Sequence, residues 1–282
     1  MGGRGPDFIG IGAQRTGTSW IYACLVEHPE ICMPRKEINF FSRERNWSRG
    51  FDWYERIFAE CPPNALVGEF STSYLTDAKT AMRIKSRYSG IRLVVSLRHP
   101  ADRAYSSYLN DVTAGIVPAT IPFAQALLSH PEYIEGGRYA PHLRRYLQLF
   151  PRDRIFVSIF DDARRDPLAT IGELYRFLGV DSAFRPTMLD RPVGVGRVPR
   201  VQWMERALID GAKAFRRRRA LRPLWWTAKR IGAGDRLRAI NTSPQQPDGV
   251  AAEQRAALIH DFEPDIADLE QLLERPLPTW RR

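Results

Sequence analysis

At 282 residues and 44% hydrophobic side chains, the chain carries enough apolar material for one sizeable α/β core, which excludes a disordered or collagen-like polymer. A formal charge of +10, carried mostly by arginine, points to anionic partners without choosing among phosphates, sulfates, nucleic acid and lipid head groups. No apolar run approaches the ~20 residues of a membrane span, and the N-terminus does not read as a signal peptide, so a soluble, cytoplasmic protein is expected.

The first predicted strand, Asp7–Gly12, runs through a tight loop into a helix over Thr18–Glu27. Strand, loop and helix start aim backbone N–H groups and the positive end of a helix at one point, which suits an anion. Gly12 and Gly17 keep the offset of a nucleotide-binding phosphate loop, but Thr18 stands where that formula requires lysine. No partner aspartate for Mg²⁺ ends an apolar strand, which counts against an ordinary ATPase or GTPase. Arg15, a permanent cation in the middle of the loop, favours a bound anion over an empty β–α turn.

Further buried-type strands are predicted over Ala65–Phe70, Arg92–Leu97 and Arg154–Phe160, continuous rather than alternating in apolar character. Helices fall between and after them: Asp77–Tyr88 with an Asp cap, Pro100–Asn110 with proline in its first turn, Tyr139–Phe150, and Pro167–Leu178 closed by Gly179. The alternation predicts an α/β, three-layer fold like that of phosphate-loop proteins, with a mostly parallel central sheet and the ligand beyond the carboxyl ends of its strands. Arg98 stands at such an end and Ser106 follows on the next helix, where a guanidinium and a hydroxyl suit a terminal phosphate. The alternative is an Arg98–Asp102 ion pair. His99 reads as a turn residue.

The three cysteines, Cys24, Cys32 and Cys61, have no metal-site spacing and are read as thiols in a reducing compartment, Cys24 as a small core residue. No His/Cys cluster suggests a metal. From Arg191 the pattern weakens: Gly194 and Gly196 precede a helix over Val201–Ile209, and a basic stretch over 213–230 carries Arg216 to Arg219 and the pair Trp225-Trp226. That stretch reads as a solvated face, as a lining of the acceptor cleft, or as a cationic surface for peripheral contact with anionic membrane. Nucleic acid is not the expected partner. With no internal repeat, residues 1–282 are taken as one domain, with the basic excursion at about 191–245 and a final helix over about 251–273 packing back on the sheet.

Together the two motifs resemble the signature of sulfotransferases that use 3′-phosphoadenylyl sulfate (PAPS), and within them the heparan sulfate and bacterial carbohydrate-type branch. The resemblance covers roughly residues 7–200 and is supported by Lys36 to Phe41, Gly68 to Leu75 and Gly137 to Leu143. It implies that Arg15, Thr16, Gly17, Thr18 and Ser19 hold the phosphosulfate end of PAPS, that Arg98 and Ser106 hold its 3′-phosphate, and that Gly196 and Arg197 touch the nucleotide. It further implies that Glu37 is the general base, with Arg15 against the transferring group and no metal required. Glu69 is the competing carboxylate, and pairing of Glu37 with Lys36 or Arg35 is the bland alternative. Phe70 and Asn39 depart from the branch's lysine and histidine on what is expected to be the acceptor side, which makes heparan sulfate itself doubtful as the acceptor. The rival functions are a nucleotide kinase or NTPase with a degenerate loop, and a basic module that binds nucleic acid or membrane.

Overall fold

The computed structural model describes residues 4–189 and 250–282. Its centre is a five-stranded sheet in the order β2-β3-β1-β4-β5, formed by β1 (Phe8–Gly12), β2 (Ile31–Cys32), β3 (Leu66–Phe70), β4 (Arg92–Leu97) and β5 (Ile155–Ile159). Every pairing is parallel, with Phe8 opposite Gly68 on one side and Arg92 on the other. Parallel strands need a covering layer on both faces, which is why these segments lack apolar–polar alternation.

Side-chain alternation along the strands divides the core in two. Ile9, Leu93, Val95 and Leu97 face one layer, built from α4 (Thr80–Lys85), α5 (Pro100–Thr113), α8 (Tyr139–Leu147) and the last described helix, α11 (Ala252–Leu273). Phe8, Phe70 and Val94 face the other, where α1 (Thr18–Glu27) and α10 (Pro167–Leu178) supply Ile21, Leu25, Ile171, Leu174 and Leu178. Asp166 starts α10 by accepting the Ala169 N–H at 2.9 Å, and Gly179 ends it in the left-handed conformation (φ 76°).

The predicted strands and the bounds of α1 and α10 agree with the structure to within a residue or two. Other expectations need correction. The helix predicted from Asp77 begins at Thr80, because the Asp77 carboxylate accepts the Lys79 N–H and the Thr80 hydroxyl in a local turn ahead of it. The helix predicted over Tyr139–Phe150 ends at Leu147, its last turn continuing irregularly into Pro151. Short helices α2 (Glu44–Trp47), α3 (Gly50–Arg56), α6 (Phe123–Ser129), α7 (Glu132–Glu135) and α9 (Phe160–Arg165), like β2, are too brief to leave a periodic trace. The final helix lies chiefly on α8 and α5, not on the sheet. Its Asp265 accepts the Tyr139 and Ala140 N–H groups at 2.9 and 3.1 Å, filling the open N-terminus of α8.

Cys32 and Cys61 form a disulfide with a Cα–Cα separation of 5.8 Å, contrary to the expectation of free thiols. β2 runs parallel to β3, so the segment leading into β3 lies beside it and brings Cys61 to Cys32. This removes the cysteine argument for a reducing compartment. Cys24 is free and buried in the core as expected. Among the described residues no helix is long and apolar enough to cross a membrane. The predicted helix at Val201–Ile209, Gly194, Gly196 and Arg197, and the basic stretch at 213–230 all lie outside the described residues.

Candidate active site

The loop after β1 is built for close approach of an anion. Gly17, the residue before α1, sits at φ 85°, and a Cβ there would come within 2.6 Å of the Phe160 ring, so both conformation and space demand glycine. The first N–H groups of α1 have no carbonyl one turn back and face the loop. Thr16 is wholly buried: its hydroxyl donates to the Ala13 carbonyl at 2.8 Å, and its own carbonyl accepts the Ser96 hydroxyl at 2.5 Å. Thr16 therefore stiffens the loop from inside and offers a ligand only its backbone.

Arg15 stands at φ 67° and donates through Nε to the Ser106 hydroxyl (3.1 Å) and through a terminal nitrogen to the Asn110 amide oxygen (3.2 Å). Arg98, at the end of β4, lies over the Phe160 ring at 4.9 Å and donates to the Arg15 carbonyl at 3.4 Å. It makes no ion pair with Asp102, which pairs with Arg255 instead. Lys36 donates to the Ser19 hydroxyl at 2.9 Å. These residues, with Gln14, Thr18, Glu37 and Thr72, line a cleft of about 270 Å³ over the carboxyl ends of β1, β3 and β4. The sequence-predicted set Arg15, Gly17, Thr18, Ser19, Glu37, Arg98 and Ser106 is thus brought together.

The electrostatics are one-sided. Burial lowers the proton affinity of Arg15, and the Arg98 charge lowers it further. Burial likewise lowers Arg98 and Lys36, with Glu37 only partly offsetting the effect at Lys36. Among the described residues none of these three cations has a carboxylate in ion-pair contact. Half-buried positive charges with carboxylates nearby but none in ion-pair contact, beside free N–H donors, are complementary to an anion that enters the cleft.

Glu37 is held in place by its neighbours. Its backbone is left-handed (φ 56°), its N–H donates to the Phe70 carbonyl at 2.8 Å, and its carboxylate accepts the Thr72 hydroxyl (2.9 Å) and N–H (3.2 Å). It pairs with neither Lys36 nor Arg35. A left-handed non-glycine backbone costs about 1–2 kcal/mol and needs support from its surroundings. Glu69 supplies part of it. Fully buried, it accepts the hydroxyls of Tyr54 (2.6 Å), Tyr74 (2.9 Å) and Ser71 (2.9 Å). With those protons turned to Glu69, the Tyr74 oxygen accepts the Phe40 N–H at 2.8 Å and the Ser71 oxygen accepts the Asn39 N–H at 2.9 Å. Burial pushes the Glu69 carboxyl up to about 7, against the lowering effect of its hydroxyl donors.

Phe70 needs correction. One residue on from Glu69 in β3, it points to the opposite face and is fully buried in the core, its ring lying across Gly10, where a Cβ would come within 2.2 Å. It does not face the acceptor side. Asn39 is also buried, donating to the Glu37 carbonyl and accepting the Ser73 hydroxyl. Sequence reasoning missed the parts played by Tyr54, Thr72, Tyr74, Asn110 and Phe160. Thr72 carried the best signal, lying just beyond the carboxyl end of β3, whereas Tyr54 sits in a short helix with no pattern to mark it.

The family model described as "Sulfotransferase domain" matches residues 5–191. The chain is 26% identical over 300 residues to human bifunctional heparan sulfate N-deacetylase/N-sulfotransferase 3, covering 98% of this chain and 31% of that protein. It is also 26% identical over 186 residues to heparan sulfate glucosamine 3-O-sulfotransferase 5 of Mus musculus, covering 62% of this chain and 54% of that one. The chain thus spans about a third of the length of the bifunctional relatives it matches. A sulfotransferase structure from Alicyclobacillus acidocaldarius superposes with a TM-score of 0.72 at 27% identity, covering 99% of this chain and 100% of that one.

Proposed function

Since the chain belongs to the sulfotransferase family, we propose that it moves a sulfuryl group from PAPS to a hydroxyl or amine of a carbohydrate or other small-molecule acceptor. The observation that carries this reading is the meeting of Arg15, Lys36 and Arg98 with the start of α1 in one cleft without a partner carboxylate. That chemistry fits a ligand with anionic groups at both ends. The donor supplies a sulfur activated by a phosphate leaving group.

Arg15, the N–H groups of Gly17, Thr18 and Ser19, and Lys36 serve the phosphosulfate end, while Arg98 and Ser106 serve the 3′-phosphate. Gly196 and Arg197 remain nucleotide contacts proposed from the resemblance alone. Transfer makes one acceptor–sulfur bond and breaks the sulfur–oxygen bond to the phosphate. The acceptor's proton passes to Glu37, an oriented and exposed carboxylate. Positive charge and N–H donors placed beforehand at the leaving oxygen stabilise the charge that develops there. Glu69, enclosed by three hydroxyls, holds the Glu37 loop and takes no proton from the acceptor.

Calorimetric titration with adenosine 3′,5′-bisphosphate tests the donor site. Submicromolar to micromolar binding without metal is expected, and Arg98→Ala should weaken it by about 10- to 100-fold, the loss of a charge-assisted phosphate contact. No heat with the folded parent, or Mg²⁺-dependent preference for ATP, rejects the reading.

A further inference from the structure

A second cavity of about 270 Å³ adjoins the donor cleft and shares Gln14, Arg15 and Asn110 with it. The rest of its wall comes from Arg103, Ser107 and Asp111 of α5, the Glu132–Gly136 turn, His142 and Thr76. Of its wall the donor reading uses only Arg15.

None of the side chains that line it is purely aliphatic, and most carry a hydrogen-bonding or charged end. Its one aromatic, Tyr133, is buried, donates its hydroxyl to Asp111 at 2.7 Å and stacks on His130, leaving no open ring face for a flat apolar ligand. The guanidinium groups of the wall are held by neutral partners and keep their charge: Arg103 donates to the Ser107 hydroxyl and the Tyr133 carbonyl, and Arg15 to Ser106 and Asn110. Arg103, only 3% exposed, still keeps one buried nitrogen, Nε, without a hydrogen-bond partner. By contrast the Glu132 and Glu135 side chains are 63% and 66% exposed on the rim, and Asp111 adds a third carboxylate. Their basic neighbours are His130 on Glu132 and Arg138 beside Glu135 at 3.6 Å.

We propose that this cavity is the acceptor subsite, and that it admits an uncharged or amine-bearing polyhydroxyl unit, such as an unsulfated sugar, while its acidic rim turns away polyanions. The inference rests on the sulfuryl-transfer reading and narrows its acceptor. Hydroxyls of such a unit find donors and acceptors on every wall, an amine finds carboxylates, and a sulfated or uronate-rich chain meets like charge.

The test compares four acceptors under saturating PAPS: a neutral glucose tetramer, a glucosamine tetramer, a sulfated uronate-containing tetrasaccharide, and 4-nitrophenol. The neutral and amine tetramers should exceed the other two in kcat/KM by about tenfold or more. In the double variant Glu132→Lys/Glu135→Lys, KM for the glucosamine tetramer should rise about fivefold, with little change for the neutral one. Thr76→Trp, at an exposed position on the cavity wall, should raise KM for both tetramers about tenfold while the affinity for adenosine 3′,5′-bisphosphate stays at the parent value. Preference for the sulfated chain or the phenol, or a ranking that neither variant moves, overturns the proposal while nucleotide binding persists. A parent that binds no nucleotide overturns the donor reading and this inference together.

Discussion

Glu69→Gln separates a carboxylate that positions a loop from one that accepts the substrate's proton. The carboxyl is raised from its ordinary 4.5 to about 7 by burial. At about 1.36 kcal/mol per unit, this corresponds to about 3 kcal/mol. The sign follows from proton counting. Between pH 4.5 and 7 the native state holds a proton at Glu69 that the unfolded chain has released, so stability falls as pH rises through that window and is level above it. Glutamine carries no such proton. Urea unfolding of parent and variant at pH 5, 6, 7 and 8 should therefore show the parent losing about 2–3 kcal/mol more than the variant over that range. Asp265, raised to about 6, titrates in both proteins and cancels in the difference. The amide keeps one oxygen for Tyr54 and Tyr74 but offers Ser71 a donor in place of an acceptor, so kcat should fall only modestly, by about 3- to 10-fold. Equal pH dependence in the two proteins would refute the buried, proton-holding Glu69, and a kcat loss of about 10³ would make it the base instead.

Two further outcomes follow from the same geometry. Glu37→Gln keeps the shape of the loop and an oxygen for Thr72 but removes the proton acceptor, so single-turnover transfer should slow by about 10²–10⁴ with nucleotide affinity unchanged; near-parental turnover rejects the assignment. Cys61→Ser opens a loop closed across a separation of 29 residues, and the midpoint of urea unfolding should drop by the equivalent of about 3–4 kcal/mol, with no change under reductant in the variant.

How much of this was legible in the sequence depends on whether a residue acts through a local pattern. The strand–loop–helix at Phe8–Glu27, and Arg98 with Ser106, lie within single β–α units, where periodicity and spacing bring their residues to the wall of one cleft. The same holds for α10, bounded by Asp166 and Gly179. The support of Glu37 is different. It runs through Thr72, Ser71, Glu69 and Tyr74, which share one short stretch, and through Tyr54 of α3; that stretch lies more than 30 residues beyond Glu37, so no local pattern links the two. Phe70 misled for a related reason: it stands two residues before Thr72, which lines the cleft, but the strand's alternation, together with the notch at Gly10, turns its ring into the core. The disulfide escaped because β2 is two residues long, and without that strand nothing places Cys32 beside Cys61.

Trp280 is fully buried, its ring 6.3 Å from His99 and 5.9 Å from Tyr139, and its indole N–H donates to Asp161. The Tyr139 hydroxyl in turn donates to the carbonyl of Arg98. Trp280 thus seats the corner from which Arg98 reaches into the cleft. During translation the loop after β1 and β4 leave the ribosome early, but this corner stays unfinished until the indole has emerged, so a stalled nascent chain that lacks Trp280 would hold most of the sheet and yet leave Arg98 without its seat.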